Sequence, residues 1–472
     1  MIELMRKSVV EQARLIRSGE VSATAMVEAA IAAIERYNPA INAVVLPMFD
    51  EARRAVRALR GDEPFGGVPM LLKDMCAEYA GAPLTEGSRF LRGYISPRDS
   101  ELVARYRRAG FIVLGKTNSP EFASKPTTEP ELYGATRNPW DLSRSPGGSS
   151  GGAGAAVAAG MVAVAHANDG GGSTRIPAAV CGLVGLKATR GRNPLGPDYG
   201  DIGAAGLLSE HVVTRTVLDN AVMLDVTAGP DVGAPFYPPP PQRAFAAEVG
   251  ADPGRLRIAF STQPITPTPV HPECQQAVRD IARLCESLGH NVEEAKPSAD
   301  GEHFSEWFTA IWLAMVAWMI NDWSVRIGRQ PTADMFERHT WKMYSFDAER
   351  RPSDLLRAIH EMQRFARAVA PFFDTYAVWL TPTTPQPPVP LGYFDYDPKA
   401  PRQATERMEN FPRFSAIANV TGQPAISLPL CTTADGLPIG IQLMGRYADE
   451  ATLFRLAGQL ESARPWAARR PA

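Results

Sequence analysis

Apolar positions along the chain alternate between runs with a helical period and short unbroken runs, which predicts helices and buried strands in turn. Ser22 is a favourable N-cap for an amphipathic helix that extends to about Tyr37 and ends before Pro39. Short buried strands are predicted at residues 111–114, 161–165 and 256–260, and the last is followed by a predicted helix over 272–288 and the strand-like stretch NVEEA. This alternation indicates an α/β fold.

A segment rich in large apolar side chains stands apart from this alternation. Residues 307–343 contain five of the eight tryptophans and four methionines, and residues 307–320 carry no charge. At 14 residues, between Glu306 and Asp322, the uncharged run is too short to span a bilayer. Two interpretations remain open: a buried core helix, or a helix of which one face lines a substrate pocket. The candidate pocket residues are Trp307, Trp312, Met315 and Met319.

Composition and charge narrow the class of protein. With 45% apolar and 21% charged residues, the chain has enough apolar surface for a folded core. A net charge of −2 gives no basis for binding nucleic acid or an anionic membrane. Five scattered cysteines without C-x-x-C spacing, and an N-terminus without an apolar signal segment, predict a protein of the reducing cytoplasm. The histidines form no H-E-x-x-H pair, so no metal site is expected.

The candidate chemistry lies in two loops of small residues, 147–152 and 170–173, each of which contains serine. The stretch between them, AAVAAGMVAVA, is too apolar for a flexible linker and predicts buried structure. Glycine lets the backbone approach a substrate closely and adopt positive φ, so serines between glycines are well placed to act on a small polar group.

Two well-known motifs match residues of this sequence, but the secondary structure predicted around each match is not the one that the motif requires. Residues 147–151 fit G-x-S-x-G, the nucleophile elbow of α/β-hydrolases, which requires a strand immediately before it, but Pro146 breaks any such strand. Residues 110–117 fit the P-loop pattern, which requires a loop between its glycines, whereas Phe-Ile-Val-Leu predicts a buried strand there. Neither an α/β-hydrolase triad nor nucleotide binding is therefore expected.

Three segments carry the candidate catalytic groups. They are D-G-G-G-S at residues 169–173, G-G-S-S-G-G at 147–152 and G-V-P-M-L-L-K-D at 67–74. Together they resemble the amidase signature family of serine hydrolases, and the resemblance covers most of the chain, weakening between about 230 and 410. It implies that Ser173 is the nucleophile, that Ser149 is a bridging serine on a cis peptide bond, and that Lys73 is the base. The segment HANDGGGSTRIPAA is most similar to the branch that contains 6-aminohexanoate cyclic-dimer hydrolases.

In the mechanism that this resemblance implies, Ser173 attacks the amide carbonyl and Ser149 relays its proton to neutral Lys73. A free lysine has a pKa of about 10.4, so Lys73 must be desolvated to act as a base near pH 7. The apolar residues just before it suit that requirement. The expected oxyanion donors are the backbone N–H groups of Gly170, Gly171, Gly172 and Ser173. No metal and no organic cofactor take part in this scheme.

Further residues are candidates for supporting the two loops. Asp169 is expected to bind backbone groups or Arg175 and to hold the glycine turn, rather than to attack substrate. Ser150 either supports the site or is an ordinary N-cap of the helix that starts directly after it. The family often has threonine before the aspartate and a β-branched residue after it, whereas this chain has Asn168 and Gly170.

The resemblance implies a single α/β domain over residues 1–472, in which a central twisted mixed β-sheet is covered by helices on both faces. Residues 60–200 are expected to form the catalytic core segment, and about 295–410 a variable helical region on the substrate side. The expected function is hydrolysis of a small-molecule carboxamide, linear or cyclic and with an apolar portion, through an acyl-enzyme on Ser173.

Three alternatives to this function remain open. The same residues would serve a carbamate or ester hydrolase, which needs only a different leaving group. They would also serve an amidotransferase A-type subunit that passes ammonia to a partner protein. A non-enzymatic binding protein on the same fold is the third alternative. A homodimer is one open oligomeric state.

Overall fold

Strands from both ends of the chain form one mixed β-sheet at the centre of the protein. The computed structural model describes residues 2–200 and 205–471. The strands are β1 (Val44–Pro47), β2 (Pro69–Lys73), β3 (Ile112–Thr117), β4 (Val164–Asp169), β5 (Val184–Lys187), β6 (Ser209–Thr214), β7 (Arg257–Phe260), β8 (Asn291–Glu294), β9 (Val378–Pro382), β10 (Ala425–Thr432) and β11 (Pro438–Gly445). Within the described residues they form an 11-stranded sheet in the order β1-β3-β2-β4-β6-β5-β10-β11-β9-β7-β8. Parallel pairs such as β2–β4 and β7–β8 stand beside antiparallel ones such as β10–β11.

Helices fill the connections between the strands. They are α1 (Val9–Arg17), α2 (Ala23–Ile41), α3 (Phe49–Arg57), α4 (Glu101–Arg108), α5 (Gly151–Ala158), α6 (Arg175–Cys181), α7 (Val217–Thr227), α8 (Pro272–Ser287), α9 (Phe304–Ile327), α10 (Arg338–Ala348), α11 (Pro352–Val369), α12 (Phe372–Thr375), α13 (Gln403–Asn410), α14 (Ala416–Thr421) and α15 (Glu450–Ala463).

Both faces of the sheet are covered, as strand β11 illustrates. Gly440 faces Ala179 of α6 and leaves no room for a side chain. Its neighbour Ile441 points to the opposite face, because side chains alternate along a strand, and joins an apolar cluster with Leu453 of α15. The fold is therefore the α/β architecture, with a large mixed sheet between helices, that the sequence predicts.

Helix α2 begins where the sequence predicts and ends later. Ser22 caps it by accepting a hydrogen bond from the backbone N–H of Ala25, but the helix continues through Pro39 to Ile41. A proline this close to a helix end removes only one backbone hydrogen bond, so the helix tolerates it. The side-chain oxygen of Asn38 then accepts two backbone N–H groups just beyond the helix and fixes its exit.

Strand β4 begins at Val164, later than the predicted run from residue 161. Gly160 follows α5 with a φ of 76°, and the N–H of Met161 still bonds to Ala156 in that helix. Residues 161–163 are therefore the turn between helix and strand. The other predictions agree closely with the structure: β3 includes the run at 112–114, and β7, α8 and β8 form the strand–helix–strand unit with parallel strands.

Helix α9 is longer than the uncharged run that predicts it. It covers 24 residues and, among the described helices, is long and apolar enough to cross a membrane by length and composition alone, but 44% of its most apolar 18-residue window is buried inside the protein. The uncharged run of residues 307–320 is only part of this longer helix. Part of the helix packs within the protein, where Ile320 and Trp323 join an apolar cluster with Phe90. The predicted variable region, about 295–410, contains α9 to α13 and also β9, which lies inside the sheet between β11 and β7.

Candidate active site

The carboxyl ends of two neighbouring parallel strands bring the candidate residues together. Strands β2 and β4 pair through Leu71 and Ala165, so both end at the same edge of the sheet. Lys73 is the last residue of β2, and Asp169 is the last residue of β4. The two glycine loops meet at this edge, where the N–H of Ser150 donates to the carbonyl of Ser173 over 3.3 Å.

Lys73 is fully buried and contacts one of the two candidate serines. Its Nζ donates to Ser149 Oγ over 2.7 Å and to Asn168 Oδ1 over 2.5 Å. Burial lowers the pKa of the Lys73 amine to about 8, because a charged amine is poorly solvated there. A larger share of this amine is therefore neutral near physiological pH than for an exposed lysine.

Two other buried lysines show that a lowered pKa does not by itself identify a base. Burial lowers the pKa of Lys116 to about 8 and that of Lys187 to about 7. Lys116 Nζ donates to the backbone carbonyl of Ala77, and Lys187 Nζ donates to that of Ala188 over 2.7 Å. Of these three lysines, Lys73 alone donates to a hydroxyl in the described structure, so geometry distinguishes it.

A hydrogen-bond network lies behind Lys73, and sequence analysis did not predict it. The Glu210 carboxylate accepts from His166 Nε2 over 2.5 Å and from Asn168 Nδ2 over 3.5 Å. The backbone N–H of Lys73 donates to His166 Nδ1 over 3.2 Å, which leaves the ring proton on Nε2. Glu210 thus orients the Asn168 amide so that its oxygen faces Lys73. Asn168 is the position where the family often has threonine, and that departure was the available signal.

The two candidate serines face a small cavity of about 30 Å³, called the inner cavity below. The peptide bond between Gly148 and Ser149 is cis, as the resemblance implies. Ser149 is buried, whereas Ser173 is 8% exposed and also faces a larger space. Among the described residues, no hydrogen bond joins the two hydroxyls.

Three of the four expected oxyanion donors are available, and the fourth is not. The N–H of Gly172 donates to Asp169 Oδ1 over 2.7 Å, so the prediction for Gly172 needs correction. The reason is that the loop folds back over the aspartate side chain. Within the described part of the chain, the N–H groups of Gly170, Gly171 and Ser173 make no hydrogen bond, and all three residues line the cavities.

Asp169 and Arg175 form a fully buried ion pair beneath this loop. Arg175 Nη2 donates to Asp169 Oδ1 and Arg175 Nε to Asp169 Oδ2, each over 2.9 Å. Burial alone would raise the pKa of Asp169, but Arg175 and Asn419 hold it at about 2. Asn419 Nδ2 donates to the same carboxylate over 2.9 Å, and sequence analysis did not identify this role.

Ser150 occupies the N-cap position of α5, but its side chain makes no capping hydrogen bond. Its hydroxyl instead donates to the backbone carbonyl of Asn168 over 3.3 Å. Of the two interpretations of Ser150, the geometry therefore fits support of the site.

A second, larger space of about 390 Å³, called the outer cavity, opens beside the inner one. Trp312 lines both cavities, and Met315 and Met319 line the inner one. Trp307 lines neither, so its assignment to the pocket needs correction. It lies five residues before Trp312, which turns its side chain to a different face of α9. Phe308, four residues before Trp312, lines the outer cavity and was missed despite that helical spacing.

The described residues contain no group of three or more histidine, cysteine, aspartate or glutamate side chains that could hold a metal ion.

Comparisons with known proteins identify the family of the chain. The model of the amidase family matches residues 25–454. The 6-aminohexanoate-cyclic-dimer hydrolase of Paenarthrobacter ureafaciens is 40% identical over 472 residues, which cover 98% of this chain and 95% of that protein. The structure of 6-aminohexanoate cyclic dimer hydrolase complexed with substrate has a TM-score of 0.94 at 39% identity and covers 99% of both chains. A bacterial aryl acylamidase has a TM-score of 0.88 at 26% identity over 99% of both chains.

The chain therefore belongs to the amidase family. It is an enzyme that hydrolyses carbon–nitrogen bonds of amides, and its substrate is a small-molecule amide. The relatives named above are amide hydrolases, so the carbamate or ester hydrolase and the amidotransferase subunit are not favoured.

Proposed function

We propose that the protein hydrolyses its amide through an acyl-enzyme on Ser173, with Ser149 and Lys73 as the proton relay. The hydrogen bond of 2.7 Å between Lys73 Nζ and Ser149 Oγ, in a buried site that adjoins Ser173, carries this proposal. Ser173 Oγ bonds to the carbonyl carbon while its proton passes to Ser149 and the proton of Ser149 passes to Lys73. The protonated lysine then returns a proton through Ser149 to the leaving nitrogen, and the C–N bond breaks. Water hydrolyses the resulting ester by the same relay.

The N–H groups of Gly170, Gly171 and Ser173 are the proposed oxyanion donors. Support comes from their lack of hydrogen-bond partners in the described structure and from their position at the cavities. Such donors stabilise the charge that develops on the carbonyl oxygen, and removal of one costs roughly 100-fold or more in rate. Asp169 and Arg175 act as positioning residues, since they hold the loop without lining either cavity.

An amide with an apolar portion is the proposed substrate, and a cyclic amide is the first form to test. The apolar side chains around both cavities support a substrate with an apolar portion. The names of the relatives support a cyclic amide.

We further propose that the chain forms a single domain and that the protein is cytoplasmic. Support for one domain comes from the single sheet, and support for the cytoplasm from the five cysteines, which are free and buried in the described structure. Light scattering would distinguish a monomer from the homodimer.

The decisive experiment combines a substrate screen with labelling of the nucleophile. Cyclic amides, linear amides, anilides, carbamates, esters and glutamine are offered to the wild type and to Ser173→Ala. Ser173→Ala should lose turnover of every substrate and labelling by a fluorophosphonate. The matched control Ser143→Ala, an exposed serine outside both cavities, should keep both. Hydrolysis that persists in pure Ser173→Ala would end this mechanism.

A further inference from the structure

The outer cavity changes character from its wall to its rim. Its wall near Ser173 is apolar and includes Phe308, Trp312 and Leu313. The charged side chains that line it are four cations and one carboxylate: Lys125, Lys342, Arg350, Arg413 and Glu409. The whole chain has a net charge of −2, so this local excess of positive charge is not a consequence of a basic protein.

These cations differ in how they are neutralised. Lys125 forms an ion pair of 2.7 Å with the buried Glu337. Lys342 is exposed and lies over the ring of Phe346, 5.4 Å from its centroid. In the described structure neither Lys342 nor Arg350 forms an ion pair, although Arg350 is near enough to Asp347 and Asp354 to favour the ionised forms of their carboxyls.

Arg413 is half-buried, whereas Lys342 and Arg350 are exposed. Its Nε donates to Asn410 Oδ1 over 3.2 Å and its Nη1 donates to Ser305 Oγ, and both partners are neutral. Burial lowers the pKa of Arg413, and the Glu409 carboxylate nearby acts in the opposite direction without forming an ion pair with it in the described structure. A guanidinium in this state offers its remaining N–H groups to an anion, and its planar fork matches a carboxylate.

His339, between these cations, does not add to the charge at neutral pH. Burial lowers its pKa to about 4, and the charges of Lys125 and Lys342 act in the same direction. The imidazole is therefore neutral when the enzyme works near pH 7 and leaves the lysines and arginines as the charged groups of the rim.

We propose that the outer cavity binds a carboxylate on the far end of the substrate, joined to the scissile amide by an apolar chain or ring. The apolar wall contacts that linking portion, and Arg413, Lys342 and Arg350 attract the carboxylate. This proposal rests on the proposed function, because it takes the amide to lie at Ser173. The substrate class is then an amide that carries a carboxylate beyond an apolar spacer.

The test uses two anilides with the same scissile bond and the same aliphatic acyl chain, one ending in a carboxylate and the other in a neutral methyl ketone, which has no second amide to hydrolyse. The measured quantity is the ratio of their kcat/KM values, because this ratio cancels effects on the shared chemistry. In the wild type the carboxylate should be preferred about tenfold, and the preference should shrink as salt screens the charges. Lys342→Gln, Arg350→Gln and Arg413→Gln should each lower the ratio roughly two- to fivefold, mainly through KM.

Arg357→Gln is the matched control, since Arg357 is an exposed arginine on α11 that does not line the cavity. It should leave the ratio unchanged. Because Lys342 is exposed, Lys342→Gln keeps the test valid even if Arg413→Gln fails to fold. A wild type that does not prefer the carboxylate, or an equal loss in Arg357→Gln, would overturn the proposal. Failure of the Ser173 mechanism would look different, since Ser173→Ala would then still cleave both anilides.

Discussion

The indole of Trp312 lies against Gly170, so that a Cβ added to this glycine would be 3.3 Å from the ring. Phe308, one turn earlier in α9, approaches Gly171 as closely, at 3.2 Å. The two rings stack on each other with their centroids 5.7 Å apart. At position 170 the family often has a β-branched residue, so the third glycine makes room for Trp312. The rings, in turn, restrain a loop that three consecutive glycines would otherwise leave loose.

Alanine substitutions should distinguish the two ends of this glycine run. Gly172→Ala should lower kcat/KM about 100-fold or more, because residue 172 has a φ of 133° and its new Cβ would collide with Ser415. Gly170→Ala should keep most of the activity, because Trp312 needs to move only slightly. Steady-state kinetics and thermal melting of both variants check this expectation. Equal losses in the two variants would contradict it.

How much of the site could be predicted depends on where each partner lies in the chain. Lys73, Ser149 and Ser173 stand in compact motifs, so their types and spacing were readable. Glu210 was not, because it reaches Asn168 from the neighbouring strand β6, 42 residues further along. Gly172 was assigned wrongly because only the folded loop brings its N–H onto Asp169.

The type of most helices and strands could be predicted from the sequence. Their exact ends and the order of the strands in the sheet could not. Helix α9 was recognised from its apolar run. Because the run is apolar throughout, its composition does not show which side chains face the cavity. Phe308, Trp312, Met315 and Met319 recur at a helical period, and Trp307 falls outside it. That period was the available signal. The order of the strands was not available, since it depends on pairings between distant parts of the chain, such as β5 with β10.

Lys73 and Ser149 should behave as one unit. Lys73→Ala and Ser149→Ala should each lower the acylation rate by several orders of magnitude, and the double variant should be little worse than either, because each loss breaks the same relay. Single-turnover kinetics measures the rate, and circular dichroism verifies the fold. An additive double variant would contradict the relay. Lys187→Ala is a useful comparison, since it removes another buried lysine with a lowered pKa, whose Nζ donates to a backbone carbonyl.

The pH dependence of kcat/KM should report the state of Lys73. The relay needs the neutral amine, and burial lowers the pKa of Lys73 to about 8, so activity on an uncharged amide should rise with pH and level off above about pH 8. Asp169, with a pKa of about 2, stays ionised throughout this range and should not contribute. A rise that continues to about pH 10.4, the ordinary value for lysine, would show that Lys73 is not desolvated in solution.

Trp312 and Trp307 provide a matched pair for locating the specificity wall. Trp312 separates the inner from the outer cavity, and a side chain that faces a cavity has fewer partners to lose on truncation. We therefore expect Trp312→Ala to change Tm little and to shift the ratio of kcat/KM between bulky and small amides about tenfold toward the bulky ones.

Truncation of the other candidates should act differently. Trp307→Ala removes a side chain that lines neither cavity and packs against the apolar cluster that contains Phe304, so it should lower Tm and leave the ratio unchanged. Met315 and Met319 are buried where they line the inner cavity, so alanine there should cost about 2 to 5 kcal/mol of stability and also alter the ratio. If Trp312→Ala destabilises the protein without changing substrate preference, Trp312 serves as core packing, and the residues that choose the substrate lie elsewhere around the cavities.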